Sequence, residues 1–449
     1  MIRGALWQRG ASWRPFVFVP QVMRMMIALG AIFSLVSPVL SREPALPREP
    51  SLSRGNAEPT PTPPARAAGT LRIATYNVSF FRKAEGDLAR ELATPGSVQP
   101  KQIAAVLQRL RPDILLLNEF DYDPRSPELF AQNYLAISQM GGKPLKFAHH
   151  FIAPSNTGIP SGLDLDRSGS IGGGNDALGF GQFPGQYGLV VFSQLPIDNA
   201  ATRTFRHFLW RDMPGALLPP DWYTPESLAK LPLSSKSHWD VAIRLSPAQN
   251  LHFLVSHPTP PGFDGPEDRN GRRNHDEIRL WADYIDPARS DYLRDDRGRP
   301  GGLEAGASFV IAGDLNADPQ DGGSVRGAID QLLLHPRVHR ETAVGNFAPR
   351  SRGASEAAHR QGGANAGQRG DASLDTADFS DRGNAVGNLR ADYVLPSSNL
   401  EVCASGVFWP ASTDAEFALV NDDVDASSDH RLVWVDIAQP GKRCPKRSK

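Results

Sequence analysis

Seven short apolar runs with strand character are the feature that most constrains how this chain can fold. They cover residues 71–76, 114–118, 189–193, 251–256, 309–312, 393–395 and 432–435. Between some of them apolar residues recur at helical spacing, which predicts helices over 102–110 and 274–284. Because strands and helices alternate irregularly, the pattern predicts an α/β sandwich rather than a strictly alternating barrel.

Residues 1–41 have the layout of a secretory signal peptide. An apolar run from Met25 to Leu40 follows Arg14 and Arg24, and a small-residue cleavage site closes it. The run is too short for an ordinary membrane-spanning helix. An uncleaved membrane anchor is the alternative, and Pro38 inside the run counts against it. We therefore expect a protein that is secreted or periplasmic.

The rest of the chain divides by composition into a linker, one large domain and a tail. Residues 42–69 are rich in Pro, Arg, Ala and Thr and have almost no large apolar side chains, which predicts a disordered linker. Residues 70–438 form the predicted domain, and residues 439–449 form a basic tail. Irregular stretches at 154–186, 206–235 and 346–388 are predicted insertions. The first two hold enough large apolar residues to fold, whereas much of the third is expected to be mobile.

Charge and cysteine content bear on the partners and the compartment. Lys and Arg total 48 against 49 Asp and Glu, so no global basic field attracts nucleic acid, although a metal ion could supply positive charge locally. The chain has 2 cysteines, Cys403 and Cys444. Outside the cytoplasm an even pair favours a disulfide, but Cys444 lies in the basic tail, so the sequence leaves their pairing open. Neither cysteine has the neighbours of a zinc site.

Polar residues interrupt the apolar pattern where the predicted strands end or begin. They are Asn77, Glu119, His257, Asp314, Asn316, Asp392, Asp429 and His430. Taken singly, an Asn or Asp at a strand end is usually a turn former, and a lone His is usually structural. Taken together, they supply hard oxygen ligands for a metal and imidazoles for proton transfer. Metal-assisted phosphoryl hydrolysis requires both.

The order of the motifs TYN, NEFD, SHPTPP, GDLNADP, ADYVLP and SDH resembles that of the endonuclease/exonuclease/phosphatase superfamily. That superfamily includes pancreatic-type deoxyribonucleases, exonuclease III-like repair enzymes, neutral sphingomyelinases and inositol-polyphosphate 5-phosphatases. The resemblance covers residues 70–436, and GDLNADP and SDH are its most specific parts. It implies a four-layer α/β sandwich in which two packed central mixed β-sheets are flanked by helices.

The resemblance also implies a role for each motif residue. Glu119, Asn77 and Asp429 match the metal-binding residues, with Mg²⁺ or Mn²⁺ as the expected catalytic cofactor. Asp314 matches the aspartate that orients the attacking water. Asn316 matches the asparagine that stabilises phosphate charge.

The two motif histidines are assigned in the same way. His430 matches the histidine that acts as base or transition-state donor, and Asp392 matches the carboxylate that orients it. His257 matches a histidine of the deoxyribonuclease, sphingomyelinase and inositol-phosphatase branches. Apurinic endonucleases carry a tyrosine at that place, so the repair branch fits less well.

Five residues beside these motifs are candidates for binding the substrate. Arg272, Arg273 and Asn274 could reach a phosphate at a helix start. A capped surface helix explains the same three residues equally well. Lys236 and His238 precede a strand and could form a wall of the substrate site, with ordinary edge packing as the alternative.

A second metal signal lies in the first predicted insertion. The segment DLDRSGSI begins at residue 164 and has the Asp, Ser and Gly spacing of the first half of a calcium-binding loop. The candidate ligands are Asp164, Asp166, Ser168, Ser170, Asn175 and Asp176. An Asn replaces the final Glu, and the glycines around the loop exclude a standard helix–loop–helix. The sequence thus predicts an isolated structural Ca²⁺ loop, with a polar glycine-rich turn as the alternative.

The leading functional hypothesis is a secreted, divalent-metal-dependent hydrolase of phosphate esters whose substrate is a small molecule, a nucleic acid or a lipid headgroup. The alternatives are an extracellular nuclease and a sphingomyelinase-like enzyme, which an exposed Phe208/Leu209/Trp210 patch would support. A non-enzymatic binding module would show loss of a catalytic residue, and none is missing. No obligate protein partner is evident, and a monomer is expected.

Overall fold

Two mixed β-sheets organise this computed structural model, which describes residues 66–420 and 427–445. The strands are β1 Thr70–Phe80, β2 Ile114–Phe120, β3 His149–Phe151, β4 Leu189–Ser193, β5 Arg203–Thr204, β6 His238–Ser246, β7 Gln249–Ser256, β8 Phe309–Asp314, β9 Asp392–Pro396, β10 Val402–Val407 and β11 Val433–Ala438. The six-stranded sheet has the order β10-β11-β1-β2-β4-β3, and the five-stranded sheet has the order β5-β6-β7-β8-β9. One parallel pair lies in each sheet, β1 with β2 and β7 with β8.

Helices cover the outer faces of the two sheets. They are α1 Asp87–Leu92, α2 Val98–Leu110, α3 Ser126–Phe130, α4 Pro225–Lys230, α5 Arg269–Tyr284, α6 Asp330–Leu333, α7 Arg340–Ala343 and α8 Arg352–Gln361. Helix α2 buries Ile103, Val106 and Leu107 against the six-stranded sheet. Helix α5 buries Ile278 and Trp281 against the five-stranded sheet.

The sheets pack face to face through β1, β2, β8 and β9. Strand β8 packs against a layer on each side, because successive side chains of a strand point to opposite faces of the sheet. Val310 and Ala312 join the core between the sheets, whereas Phe309 and Ile311 join the core under α5. The result is the four-layer α/β sandwich that the motifs implied.

Each predicted apolar run overlaps a strand, and both predicted helices lie within α2 and α5. Three strands were not predicted: β3, β5 and β10. Strand β6 was expected only as the strand that follows Lys236 and His238, and it begins at His238. The three missed strands lie at sheet edges, where one side of the strand is unpaired and the apolar pattern is weak. Strand β1 also continues past Asn77 to Phe80 through a register shift, which the sequence did not indicate.

The three predicted insertions follow defined courses. The second contains α4 and buries Phe208 and Trp210, so the exposed aromatic patch considered above does not form. The third, which we expected to be largely mobile, contains α8 and lies against the SDH motif, where the backbone N–H of Asp378 donates to the carbonyl of Asp429 at 2.7 Å.

Both ends of the described chain are attached to the domain. Arg66, within the predicted linker, pairs with Asp113. Cys403 and Cys444 form a disulfide that ties the basic tail to β10. The predicted signal peptide and residues 42–65 of the predicted linker lie outside the described residues. Within residues 66–420 and 427–445, no helix is long and apolar enough to cross a membrane.

Candidate active site

Asp314 is the centre of the candidate active site. It ends β8, directly beside Asp392 at the start of β9. Its Oδ2 lies 3.1 Å from Asn77 Nδ2, 3.3 Å from His257 Nε2 and 3.6 Å from His430 Nε2. Residues from three motifs, far apart in the sequence, therefore converge on one buried carboxylate oxygen of a fourth motif.

A glycine permits the approach of the strands at this point. A Cβ added at Gly313 would lie 2.1 Å from the backbone oxygen of Ser256 on the neighbouring strand β7. No side chain fits in that gap, which accounts for the glycine of the GDLN motif. The close approach brings His257, the residue after β7, next to Asp314.

His430 and Asp392 form a buried pair. His430 Nδ1 lies 2.8 Å from Asp392 Oδ2. The same carboxylate oxygen accepts a hydrogen bond of 2.8 Å from the hydroxyl of Thr376. The ring of Phe379 meets His430 edge to face, with the ring centres 5.3 Å apart. Asp392 and Phe379 thus orient the imidazole directly, and Thr376 does so through Asp392.

The two histidines have opposite electrostatic environments. Burial opposes the charged form of His430, but the carboxylates of Asp392 and Asp314 outweigh it and raise its pKa well above the usual range. Burial lowers the pKa of His257 to about 4, and the nearby ammonium of Lys236 adds to that shift. His430 therefore favours the charged form and His257 the neutral form.

The pKa of Asp314 follows from the same neighbours. Burial opposes ionisation, but His430 and His257 outweigh it and hold the pKa of Asp314 below its usual range. Its Oδ1 accepts a hydrogen bond of 3.0 Å from the backbone N–H of Asn316. The Asn316 side chain donates to the carbonyl of Pro258 at 3.2 Å, which links the GDLN loop to the His257 loop.

Three residues with strained backbone belong to segments that form the candidate active site. Ser79, Glu119 and Asn316 have φ angles of 50°, 56° and 51°. Residues other than glycine rarely adopt this left-handed region, and such strain concentrates at functional sites. The three residues belong to three motif segments, and the polar side chains of Glu119 and Asn316 are those that the family assignment requires.

Glu119 and Asp429 are the residues best suited to hold a divalent cation. Burial raises the pKa of Glu119 to about 7, and the negative charge of Asp429 adds to the shift. Within the described residues, neither carboxylate forms an ion pair with Arg or Lys. Two neighbouring carboxylates without an Arg or Lys partner fit a hard divalent cation, which would favour the charged form of Glu119.

A second set of carboxylate and imidazole atoms also lies close enough for a metal. The ligand atoms of Asp314, Asp392 and His430 lie within 4.8 Å of one another. However, Nδ1 of His430 already contacts Asp392, and Oδ2 of Asp314 accepts from Asn77. We therefore assign this set to proton transfer and orientation. The Asn77 side chain also lowers the pKa of Glu119, so it lies between the two sets.

Two of the five predicted substrate-binding residues are Lys236 and Arg272. Within the described part of the chain, their side chains form no ion pair and no hydrogen bond. Lys236 is 7% exposed. Burial lowers the pKa of its ammonium, although three nearby carboxylates oppose the shift, those of Glu277, Glu119 and Asp314. A buried lysine in the field of the site is suited to meet an anionic substrate.

The other three have structural partners instead of the predicted substrate contact. Arg273 donates to the carbonyls of Leu233, Leu178 and Pro232, and so connects α5 to the first two insertions. Asn274 donates to the carbonyls of Thr259 and Leu315, between the His257 and GDLN loops. His238 contacts Ser234 and the carbonyl of Glu277, and burial lowers its pKa to about 4.

The predicted calcium loop gathers three carboxylates. Oxygens of Asp164, Asp166 and Asp176 lie within 4.8 Å of one another. Backbone N–H groups also surround them: Gly169 donates to Asp164 at 2.9 Å, and Gly172 donates to Asp176 at 2.8 Å. The remaining predicted ligands lie at its edge: the Ser168 and Ser170 hydroxyls contact each other, and Asn175 hydrogen-bonds Asp166.

Sequence reasoning missed several residues of the site. Thr376 and Phe379 come from the third insertion, whose composition predicts no structure. Ser79 Oγ donates to Asp429 at 3.2 Å. The buried carboxylate of Glu277 accepts hydrogen bonds from Ser235 and Thr259. In the sequence, the only indication of a role for Glu277 was its position among the charged residues of α5.

The profile of the Endonuclease/Exonuclease/phosphatase family matches residues 74–430. No curated protein matches the chain. An endonuclease/exonuclease/phosphatase from Beutenbergia cavernae DSM 12333 is 18% identical, with 82% of this chain and 72% of that chain covered and a TM-score of 0.45.

Two further solved structures have lower identity. Beta toxin from Staphylococcus aureus is 12% identical, with 81% of this chain and 99% of that chain covered and a TM-score of 0.41. The human Nocturnin catalytic domain with bound sulfate is 12% identical, with 83% and 96% covered and a TM-score of 0.40.

Proposed function

Because the chain belongs to the endonuclease/exonuclease/phosphatase family and is a phosphoester hydrolase, we propose that it is a secreted enzyme that requires a divalent metal. The observation that carries this proposal is the convergence of Asn77, His257 and His430 on Asp314. These groups can orient a water, move a proton and bind an anionic phosphate.

In the proposed mechanism the metal ligands and the proton-transfer groups are separate. Mg²⁺ or Mn²⁺ held by Glu119 and Asp429 would supply the positive charge that stabilises the phosphate in the transition state. Asp314, whose pKa is lowered, stays ionised and accepts a hydrogen bond from the attacking water. It thereby orients the water for in-line attack.

The imidazoles serve the phosphate and the leaving group. His430, which Asp392 holds in the charged form, donates to the phosphate or to the departing oxygen. Neutral His257 keeps its Nε2 towards Asp314. Asn316 stabilises phosphate charge, and the ammonium of Lys236 attracts the anionic substrate.

Hydrolysis of bis-p-nitrophenyl phosphate, its monoester and plasmid DNA tests the proposal. Each substrate is incubated with Mg²⁺, Mn²⁺, Ca²⁺ or EDTA, using wild type, His430→Ala and His252→Ala. His252 is a matched control because its Nδ1 lies 2.9 Å from Asp240, a second His–Asp pair at the other end of β7. We expect metal-dependent turnover that only His430→Ala abolishes. Equal activity in EDTA and in Mg²⁺ or Mn²⁺ would contradict it.

The alternatives differ in what supports them. A sphingomyelinase-like enzyme would be favoured by an exposed aromatic patch at 208–210, but Phe208 is 6% exposed and Trp210 is 0% exposed. An extracellular nuclease remains an alternative function, and cleavage of plasmid DNA in the same assay would favour it. A binding module is disfavoured because every motif residue is present.

We also propose that the protein works in an oxidising compartment, either secreted or periplasmic. The pairing of Cys403 with Cys444 supports this, because disulfides persist outside the reducing cytoplasm. The signal-like segment at residues 1–41 agrees with it. Cell fractionation with thiol alkylation and mass spectrometry tests the compartment. Recovery from the cytoplasm with both thiols reduced would contradict it.

For the first insertion we propose a bound structural Ca²⁺. The three carboxylates of Asp164, Asp166 and Asp176 support a hard cation with oxygen ligands. The loop is also fastened to the second insertion, since Trp222 Nε1 donates to the carbonyl of Leu165 at 3.0 Å. Bound Ca²⁺ would therefore stabilise both insertions together.

A further inference from the structure

Three aromatic rings form a row at the edge of the metal site. The ring centres of Phe81 and Tyr187 are 5.0 Å apart, and those of Tyr187 and Phe180 are 6.3 Å apart. Neighbouring rings tilt by only 40° and 34°. Phe81 is 41% exposed and Phe180 is 53% exposed, so faces of the row are open to solvent.

The inner end of this aromatic row belongs to the metal site. Phe81 lies two residues after Ser79, whose hydroxyl contacts Asp429. The buried carboxylate of Asp121 accepts from the backbone N–H groups of Arg82 at 2.7 Å and Tyr187 at 2.9 Å. Burial raises the pKa of Tyr187 to about 12, and the carboxylates of Glu119 and Asp121 add to the shift, so Tyr187 lies within the electrostatic influence of the candidate metal ligand Glu119.

Phe180 is held in place by a well-packed segment. Gln186, buried at 3% exposure, donates from Nε2 to the carbonyl of Arg82 at 2.8 Å and accepts from the backbone N–H of Gln182 at 2.8 Å. A Cβ at Gly179 would lie 1.8 Å from the backbone oxygen of Ser235. The backbone on both sides of Phe180 is therefore constrained while its ring is exposed.

We propose that Phe81, Tyr187 and Phe180 bind the unpaired bases of a single-stranded nucleic acid or short oligonucleotide, so that its phosphodiester enters the metal site. The inference rests on the proposed hydrolysis and names its substrate class. Aromatic rings that follow one another at stacking distance accept bases of any sequence, because every base has a π-face. Paired bases are already stacked, so the row selects unpaired ones.

The charges around the row favour a base over a lipid surface. Exposed Lys83 and Glu85 lie two and four residues after Phe81, and a membrane-inserting surface would desolvate them. Tyr187 is only half-exposed. The row is also a narrow line of three rings, whereas a membrane site requires a wider apolar face.

The test measures binding of fluorescein-labelled hexathymidylate by anisotropy, in Mg²⁺ at fixed salt. All proteins carry His430→Ala so that the probe stays intact. We expect Phe180→Ala to weaken binding at least fivefold, within the roughly 5- to 150-fold range that one lost stacking contact produces. Phe180→Tyr should restore binding to within about twofold, and Phe180→Leu should not, because leucine keeps apolar area but has no π-face.

Ile171→Ala is the matched control. Ile171 is 67% exposed in the same insertion and lies outside the row. We expect its substitution to leave binding unchanged. Equal weakening by Ile171→Ala, or less than twofold weakening by Phe180→Ala, would overturn the proposal.

A second arm uses enzyme with His430 intact. The specificity constant kcat/KM is compared for thymidylyl-thymidine and for glycerophosphocholine, a phosphodiester without bases. Phe180→Ala should lower it at least fivefold for the dinucleotide only. An equal loss on both esters, or vesicle binding that depends on Phe180 while oligonucleotide binding does not, would refute base stacking. The anisotropy arm needs no turnover, so failure of hydrolysis and failure of stacking are distinct results.

Discussion

Nδ1 of His430 lies 2.8 Å from Oδ2 of Asp392, although 38 positions separate the two residues. The contact directs the opposite ring nitrogen towards Asp314. The pair therefore determines both the charge and the orientation of the imidazole that faces Asp314.

Asp392→Asn should lower kcat by about 10²- to 10⁴-fold, the contribution of a positioned acid–base group. The amide cannot stabilise a charged His430, so the proton donor is lost while the shape of the side chain is kept. Steady-state kinetics on bis-p-nitrophenyl phosphate measures the loss, with His252→Ala as control. Retention of more than half of the wild-type kcat would remove Asp392 from the mechanism.

Glu119→Gln should weaken Mg²⁺ or Mn²⁺ binding by at least about tenfold, because a charged oxygen ligand is replaced by a neutral one. Metal titration of activity and calorimetry with Mn²⁺ measure the change, and excess metal should restore part of the activity. Glu128→Gln is the control, since Glu128 is exposed on α3. Unchanged metal affinity would show that a residue other than Glu119 binds the metal.

Lys236→Met should lower kcat/KM by about 10- to 100-fold, the value of one charge-assisted contact to the substrate. It should also raise the pKa of His257 from about 4, because the Lys236 ammonium contributes to lowering it. Kinetics and an NMR titration of His257 measure the two effects. Lys230→Met, at an exposed surface ion pair, should change neither. A kcat/KM that stays unchanged while the pKa of His257 rises would show that Lys236 does not contact the substrate.

Ca²⁺ should raise the Tm of the wild-type protein, and Asp164→Asn should abolish the increase. A cation that binds only the folded state stabilises it by mass action, and removing a charged ligand removes that binding. Differential scanning fluorimetry with EGTA or added Ca²⁺ measures the shift. Asp212→Asn, at an exposed carboxylate, provides the comparison. If Ca²⁺ still raises the Tm of the Asp164→Asn variant, the ion binds elsewhere.

Asp375→Asn should stabilise the protein at pH 8 and have less effect at pH 5. Burial raises the pKa of Asp375 to about 8, and the charges of Asp318, Asp321 and Asp371 add to the shift. A carboxyl whose folded pKa exceeds its unfolded pKa of about 4 destabilises the fold increasingly as pH rises from about 4 to about 8. Denaturant unfolding should show a gain of about 1–3 kcal/mol at pH 8. Asp212→Asn, at an exposed carboxylate, is the control, and a larger gain at pH 5 than at pH 8 would contradict the argument.

Much of the fold could be predicted because burial leaves a direct trace in the sequence. Strand β8 reads Phe-Val-Ile-Ala because both of its faces are buried. Strand β5 left no such trace, since its two residues are only half-buried at a sheet edge. The motif residues of the site were predictable for a similar reason: they are polar side chains adjoining buried strands.

The substrate-facing residues were less predictable. Lys236 and His238 stand two positions apart, yet the first lies in the field of Glu119 and the second packs against α5. Their difference depends on which side of the chain faces the site. Pairing of Cys403 with Cys444 likewise depended on the tail returning to β10.

By itself, the sequence determined most of the strands, the two main helices and the chemical types of the candidate catalytic groups, because these follow from local burial and polarity. Only the tertiary structure decided which groups meet. Thr376 and Phe379 reach Asp392 and His430 from an insertion without periodicity. The physical reason is that convergence on Asp314 depends on strand register and on how two sheets pack, and both are properties of residues distant in sequence.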